Sequence, residues 1–345
     1  MIKTVAEDGL RLDGVLHPAQ PHAQPLSAPE PLSSAARLDS QAPSEQASNL
    51  PRAASLPVVD GLICLHGVGS NYYGSSLFEA LTPSLTALGV PVAWVNTRGR
   101  DNVFAANTRQ GRRWLGAAFE VVGECAWDVA GWLRWAERRG WRRVGLIGHS
   151  LGAIKAVFSQ AQSLAQSQAP APGSSPSQEQ SPDPASVATG GLVSLVAALS
   201  PPWLCYRLFQ NDPNGAAFFD AITRARKHVA AGEPEALIRV QYPYPLLISA
   251  GSYVDKYGPG EQYDIVPLVP RLNCPVLFTY GQAELETGGV AFAGVPEAVR
   301  AAARPGQAVS VAVVPGADHN YTRCAAPLAE VLLAWFAGEQ FAANR

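Results

Sequence analysis

The sequence lacks an excess of charge: 26 Lys and Arg stand against 28 Asp and Glu, a net of −2, and no basic block breaks the balance. That excludes the electrostatic footprint of a nucleic-acid binder. No apolar run reaches the roughly 20 residues needed to cross a bilayer, and Met1 to Asp8 lacks the basic-then-apolar order of a secretory leader. A soluble, cytoplasmic protein without membrane contact is therefore expected. The five cysteines are odd in number and have no paired spacing. Cys64 and Cys274 read as strand residues and Cys125 as a helix residue, which predicts free buried thiols in place of disulfides or a metal site. Also missing are the Lys-Ser/Thr pair that closes a phosphate loop and the glycine spacing of a dinucleotide fingerprint. Neither a metal nor an organic cofactor is expected.

Hydrophobic residues make up 47% of the chain, ample for a sizeable core, and they fall in short buried runs alternating with helical patterns. Residues 2–7 and 10–16 form a predicted hairpin through Asp8-Gly9. Residues 58–65, 90–96, 144–147, 192–199, 275–280 and 309–314 read as further strands. Helices are predicted over 76–88, with Ser76 and Glu79 as a capping box and Pro83 as its weak point, and along Val122, Cys125, Val129, Trp132, Leu133 and Ala136 up to Gly140. Others follow Leu151 and lie near 215–230, 295–303 and 325–341. This order predicts an α/β class: a mostly parallel central sheet with helices on both faces, and a ligand site at the strands' C-terminal ends.

The chain reads as one domain, 1–345, with three departures from the alternation. Residues 18–57 and 162–190 are rich in Pro, Ala, Ser and Gln, with too little apolar surface to offset chain entropy, and are expected to be disordered loop insertions. Residues 203–270 follow the sixth strand and are expected to form a cap or lid. Its Trp203, Tyr206, Phe209, Phe218, Phe219, Tyr253 and Tyr257 suggest a partly apolar pocket.

The chemistry centres on Gly148-His149-Ser150-Leu151-Gly152, placed between a buried strand and a helical pattern. A serine hydroxyl is a weak nucleophile that must stand clear of the backbone, and a sharp turn flanked by glycines achieves this. It needs a base, an acid to orient that base, and donors for the developing oxyanion. His319, in the loop leaving the last strand, is the candidate base. Glu284 or Glu286, after the preceding strand, supplies the acid, with Glu284 favoured. The Leu151 N–H at a helix start and the Val68 N–H in His66-Gly67-Val68-Gly69 are the expected oxyanion donors. His66, Gly67, His149 and Arg98 are the residues expected to contact substrate, Arg98 alternatively holding the cap by ion pairs.

These pieces together resemble the α/β-hydrolases of the esterase, lipase and thioesterase kind. The matching motifs are His66-Gly67, Asn96-Thr97-Arg98-Gly99, Gly148-His149-Ser150-Leu151-Gly152 and Gly316-Ala317-Asp318-His319, covering 58–160 and 273–335. The order Ser150, Glu284, His319 also agrees with that superfamily, although its acid is more often Asp. The resemblance implies a serine hydrolase that cleaves a carboxylic ester of a small-molecule acyl substrate through an acyl-enzyme, with activity falling on the acid side as His319 takes up a proton. Acyl transfer, cleavage of an amide, lactone or thioester, and a binding protein without turnover are the alternative functions.

Overall fold

The computed structural model describes residues 1–20, 59–168, 191–213 and 215–338. Its strands are β1 (Ile2–Val5), β2 (Arg11–His17), β3 (Gly61–Leu65), β4 (Val92–Val95), β5 (Phe104–Thr108) and β6 (Gly111–Leu115). These are followed by β7 (Val144–His149), β8 (Val193–Leu199), β9 (Leu237–Val240), β10 (Leu246–Ser249), β11 (Val276–Gly281) and β12 (Val309–Val314). Eight of them form one sheet in the order β1-β2-β4-β3-β7-β8-β11-β12. Pairing is antiparallel from β1 to β2 and from β2 to β4, and parallel from there onward.

Burial explains the composition of these strands. β3 is buried along its whole length, because a parallel strand covered on both faces has no solvent side and so reads as a continuous apolar run. β1, at the edge, alternates buried and exposed residues. Within a strand, successive side chains point to opposite faces. Ile63 and Leu65 accordingly join the core containing Val129 and Ile154, while Leu62 and Cys64 join the core containing Phe78 and Leu332.

The first core is closed by α2 (Val122–Arg138) and α3 (Leu151–Gln168), the second by α1 (Ser76–Thr86) and α9 (Ala325–Phe336). The cap of α1 is Ser75, one residue before the expected Ser76: its backbone is extended, and its Oγ accepts the Phe78 N–H at 3.3 Å. Ser76 is already inside the first turn. Pro83 is accommodated within this helix. α2 is followed by Gly140 in the left-handed region at φ 85°, as expected.

Two segments depart from the sequence reading. α3 continues through 162–168, so the beginning of the second predicted insertion is helical. The rest of that insertion, and the first from residue 21 on, lie outside the described residues. The β5–β6 hairpin was not expected, because its run from Ala105 to Arg113 is polar and has no alternating apolar pattern to announce a strand. Cys274 precedes β11 instead of lying within a strand, and all five cysteines are free.

Between β8 and β11 the chain forms α4 (Tyr206–Gln210), α5 (Ala216–Ala230), the β9–β10 hairpin and α6 (Ala250–Tyr257). Its aromatic residues mostly pack on one another. Phe209, Phe218, Tyr253 and Tyr257 are buried, with Phe209 and Phe218 ring centroids 5.5 Å apart, and they belong to the same core as Val129 and Ile154. The segment is tied to the stretch before α2 by the Ser249 N–H donating to the Ala118 carbonyl (2.7 Å), and to the first residue of α2 by the Val122 N–H donating to Asp255 (3.0 Å). The chain closes with α7 (Gln282–Thr287), α8 (Val295–Ala302) and α9. Among the described residues, no helix is long and apolar enough to cross a membrane.

Arg98, at the C-terminal end of β4, joins three parts of this frame. Its guanidinium is fully buried and meets Asp8 of the β1–β2 turn at 3.1 Å, and Glu124 and Asp128 of α2 at 2.6 and 2.9 Å. Removing the cation would leave carboxylates in a poorly solvating interior. Arg98→Met is expected to lower stability by about 3–5 kcal/mol, read as a lower urea midpoint with an unchanged m-value.

Candidate active site

The turn from β7 into α3 holds Ser150 at φ 55°, a left-handed conformation that costs a non-glycine residue roughly 1–2 kcal/mol. The two flanking glycines make the turn possible. A Cβ at Gly148 would lie 2.2 Å from the Gly152 carbonyl oxygen, and one at Gly152 would lie 2.1 Å from that of Leu65. The Ser150 N–H donates to the Leu199 carbonyl at 2.8 Å, anchoring the turn to β8.

Parallel register brings the other groups level with it. Gly281, the last residue of β11, pairs with Val314, the last residue of β12. The loops that leave these two strands therefore start side by side, and the Ala283 N–H donates across to the Ala317 carbonyl at 3.0 Å. His319 stands on the second loop with Nε2 2.8 Å from Ser150 Oγ and Nδ1 2.5 Å from Glu284 Oε1. An ionised carboxylate can only accept, so Nδ1 carries the imidazole proton and Nε2 is free to accept the serine hydroxyl.

Glu284 occupies the third position of α7 and is buried, with both oxygens engaged. Oε2 accepts from the Gly281 N–H at 3.0 Å and from the Ser200 hydroxyl at 2.7 Å. Ser200 in turn lies 2.9 Å from the Tyr321 hydroxyl, which is 2.7 Å from Thr279 Oγ1. Glu286 is exposed and accepts from Gln282 at 3.1 Å, so of the two candidate acids only Glu284 meets the histidine. Asp318 accepts from the Asn320 and Thr322 N–H groups and shapes the loop.

The loop after β3 reaches the serine through backbone. A Cβ at Gly67 would lie 3.3 Å from Ser150 Cβ, and Val68 beside it is half-buried. Leu151 is the first residue of α3, where an N–H has no acceptor within the helix. Three residues expected to touch substrate face elsewhere. His66 is 1% exposed and turned inward, with Nδ1 2.8 Å from the Gly67 carbonyl and Nε2 accepting the Thr97 N–H at 3.1 Å. Arg98 is spent entirely on its three carboxylates and holds no part of the segment between β8 and β11 through them. His149 donates from Nε2 to the His319 carbonyl at 2.7 Å, so it grips the loop that carries His319.

Burial, reinforced by Lys155 beside His66 and by His319 beside His149, lowers both imidazoles from the ordinary 6.5 to about 4. Sequence reasoning missed Ser200 and Tyr321 as supports of the acid. The signal available was Ser200-Pro201-Pro202 at a strand end, where Ser200 takes φ 48°. One group of potential metal-ligating atoms, from Cys205, Glu261 and Asp264, occurs among the described residues. Trp203 donates to Asp264, and Cys205 and Arg207 donate to Glu261.

No family model matches the chain, and no curated protein matches it. Solved structures do. Est1E from Butyrivibrio proteoclasticus with bound ferulic acid superposes with a TM-score of 0.53 at 13% identity, covering 97% of this chain and 98% of that one. A soluble variant of monoglyceride lipase from Saccharomyces cerevisiae, in complex with a substrate analog, gives 0.54 at 11% identity over 99% and 96%. The alpha/beta hydrolase GrgF from Penicillium sp. sh18 gives 0.58 at 10% identity over 98% and 97%. At these identities the likeness is one of fold.

The contrast between the two glutamates is measurable. Glu284→Gln is expected to slow reaction of Ser150 with a fluorophosphonate probe by about 10³- to 10⁴-fold, since an amide no longer holds the imidazole in one tautomer. Glu286→Gln should stay within about 2-fold of the parent, because an exposed carboxylate contributes little.

The buried histidines predict a dependence of stability on pH. Their folded values of about 4 lie below the ordinary 6.5, so between those limits the unfolded chain binds protons that the folded chain refuses. Stability should be lost as pH falls through that window, by about 1.4 kcal/mol per histidine per pH unit. Urea unfolding at about pH 7 and about pH 5 reads the loss, and His149→Asn should make the difference smaller.

Proposed function

From the α/β-hydrolase fold of this chain we propose that it is a serine hydrolase acting on carboxylic esters. The observation that carries the reading is the placement of His319 between Ser150 and Glu284, at 2.8 and 2.5 Å. Ser150 Oγ attacks the ester carbonyl while His319 Nε2 takes its proton. The buried carboxylate of Glu284 stabilises the resulting imidazolium and fixes its orientation. The N–H groups of Val68 and Leu151 receive the oxyanion, and the start of α3 adds the favourable end of its dipole. His319 then returns the proton to the leaving alcohol, and water, activated by the same imidazole, releases the acyl group from the serine.

An ester is favoured by the surroundings of the base. The Phe292 ring lies 5.3 Å from the His319 ring, so the approach is apolar on that side. The solved structures of similar fold include a protein with bound ferulic acid and a monoglyceride lipase, and the substrate class is carried over from them to this chain as part of the proposal. Residues 203–270 act in this reading as a cap beside the site.

A fluorophosphonate probe should label the chain, and Ser150→Ala should abolish labelling together with hydrolysis, by on the order of 10⁴-fold or more in turnover. A panel of short-chain and long-chain esters, thioesters and amides tests the substrate class, with esters expected to react fastest. Labelling that survives Ser150→Ala would remove Ser150 as the nucleophile.

A further inference from the structure

A lysine lies where the core helix should be apolar. Lys155, five residues after Ser150 on α3, is 1% exposed and sits among Ile154, Ala156 and Val157, all buried. Its ammonium makes an ion pair with Glu120 Oε1 at 2.5 Å and donates to Thr97 Oγ1 at 2.9 Å. Glu120 is as deeply buried, and the glycine at 99 makes room for it: a Cβ there would lie 2.1 Å from Glu120 Oε1. Burial would raise the Glu120 carboxyl, but Lys155 and Lys256 overcome this and hold it below its ordinary range. Two charges in this interior carry a desolvation cost that packing alone would not select.

The hydrogen bonds that start at Lys155 run in one direction. An ammonium can only donate, so Thr97 Oγ1 accepts from it and the hydroxyl proton is left for His66 Nε2, 3.2 Å away. The Thr97 N–H donates to the same nitrogen at 3.1 Å. A nitrogen that accepts carries no proton, which places the imidazole proton on Nδ1. From there it is donated to the Gly67 carbonyl at 2.8 Å. The carbonyl end gives the same answer independently, because a carbonyl oxygen can only accept.

The last bond, together with the Ser70 N–H donating to the same carbonyl at 3.3 Å, sets the orientation of one peptide group. In a trans peptide the C=O and the following N–H point in opposite directions. Fixing the Gly67 carbonyl towards His66 therefore aims the Val68 N–H away from His66. Val68 N–H is the oxyanion donor of the function proposed above, and the following inference rests on that reading. We propose that Lys155 is a positioning residue for the oxyanion hole, acting through Thr97 and His66 on the Gly67–Val68 peptide. It touches neither substrate nor Ser150. Its contribution is to hold one donor in place before the negative charge develops, where hydrogen-bonded chains polarise one another in a low dielectric.

The charged groups that face His66 set how the relay responds to pH. They are Lys155 from α3, Glu120 from the stretch before α2, and Asp101 from the loop after β4. Lys155 opposes a proton on His66, while Glu120 and Asp101 favour one. A protonated His66 would turn Nε2 into a donor against two donors, and the relay would break.

The test uses the full chain. Lys155→Met with Glu120→Gln removes both members of the ion pair together, and the buried Lys256, which also faces Glu120, keeps Asp255 beside it. Thr97→Val cuts the hydroxyl out of the relay at nearly constant volume, and Thr97→Ser restores it. A misaligned donor should cost less than the 10²–10³ of outright loss, so kcat for ester hydrolysis is expected to fall about 10- to 10²-fold in the first two variants, with KM within about 2-fold. In Thr97→Val the acid limb of kcat/KM should move to higher pH, and Thr97→Ser should return kcat to near the parent value. Parental kcat in Lys155→Met/Glu120→Gln or in Thr97→Val would overturn the proposal, and Thr97→Val decides if the double variant does not fold.

Imidazole ¹⁵N spectra, with the His66 signals identified by their loss in His66→Gln, provide a readout that needs no activity. The Nδ1–H tautomer and a titration moved upward by Thr97→Val are expected. An Nε2–H tautomer, or an unmoved titration, would overturn the relay whatever the hydrolysis assays give. Absence of serine labelling in the parent chain would instead defeat the hydrolase reading, and with it the need for an oxyanion donor.

Discussion

Everything at the site depends on a contact between backbones, the approach of Gly152 to the carbonyl of Leu65. A Cβ at position 152 would lie 2.1 Å from that oxygen and 2.6 Å from that of His66, so no other residue type permits the start of α3 to press against the end of β3. That approach lets the Gly67 loop, which leaves β3, meet the serine, which leaves β7. Gly148, equally crowded against the Gly152 carbonyl, permits the tight bend that holds Ser150 in the left-handed region. The local strain is opposed by the parallel pairing of β3, β7 and β8 on either side. A strained turn persists only where its surroundings over-determine it.

Charge is distributed in this molecule by the same frame. Among the described residues, two buried clusters of charged side chains adjoin the end of β4. Arg98 gathers Asp8, Glu124 and Asp128, while the next residues back and forward, Thr97 and Gly99, serve the Lys155–Glu120 pair. Three consecutive positions thus meet two buried clusters, mounted on α2 and α3, the helices that close the same core. The first cluster ties the β1–β2 turn to α2, which is a structural task. The second leads by named hydrogen bonds to the loop beside Ser150. Position alone would have suggested the opposite assignment, since Arg98 carries the charge that a substrate-contact argument would choose.

That inversion marks the boundary of what the sequence conveys. Strand and helix order was legible because burial on two faces produces continuous apolar runs, and the elbow was legible because its glycines and serine have no cheaper arrangement. Glu284 could be separated from Glu286 only by leaning, since two residues two apart in a chain differ in direction by the helix they enter, and α7 is too short to show a pattern. Arg98, His66 and His149 were assigned by proximity to motifs, yet direction is set by hydrogen-bond partners remote in sequence: Asp128 for the first, Thr97 for the second and the carbonyl of His319 for the third. The β5–β6 hairpin was illegible for a plainer reason, since strands paired outside the main sheet need no apolar face.

The reach of the Glu284 side chain follows from where the residue is mounted. It does not sit in the turn directly after β11 but at the third position of α7, so its carboxylate must reach back over a turn of helix to meet an imidazole on the adjoining loop. The added methylene supplies that reach, and the returning side chain also closes on the Gly281 N–H, the bond by which a glutamate at this position stabilises a helix start. Shortening the side chain would oblige it to give up either the imidazole or the helix cap. The second oxygen depends on Ser200, whose left-handed backbone after β8 turns its hydroxyl towards the carboxylate, backed by Tyr321 and Thr279. The Glu284 carboxylate, the Gly281 N–H and the Ser200 hydroxyl thus form one hydrogen-bonded unit that spans the ends of β8 and β11.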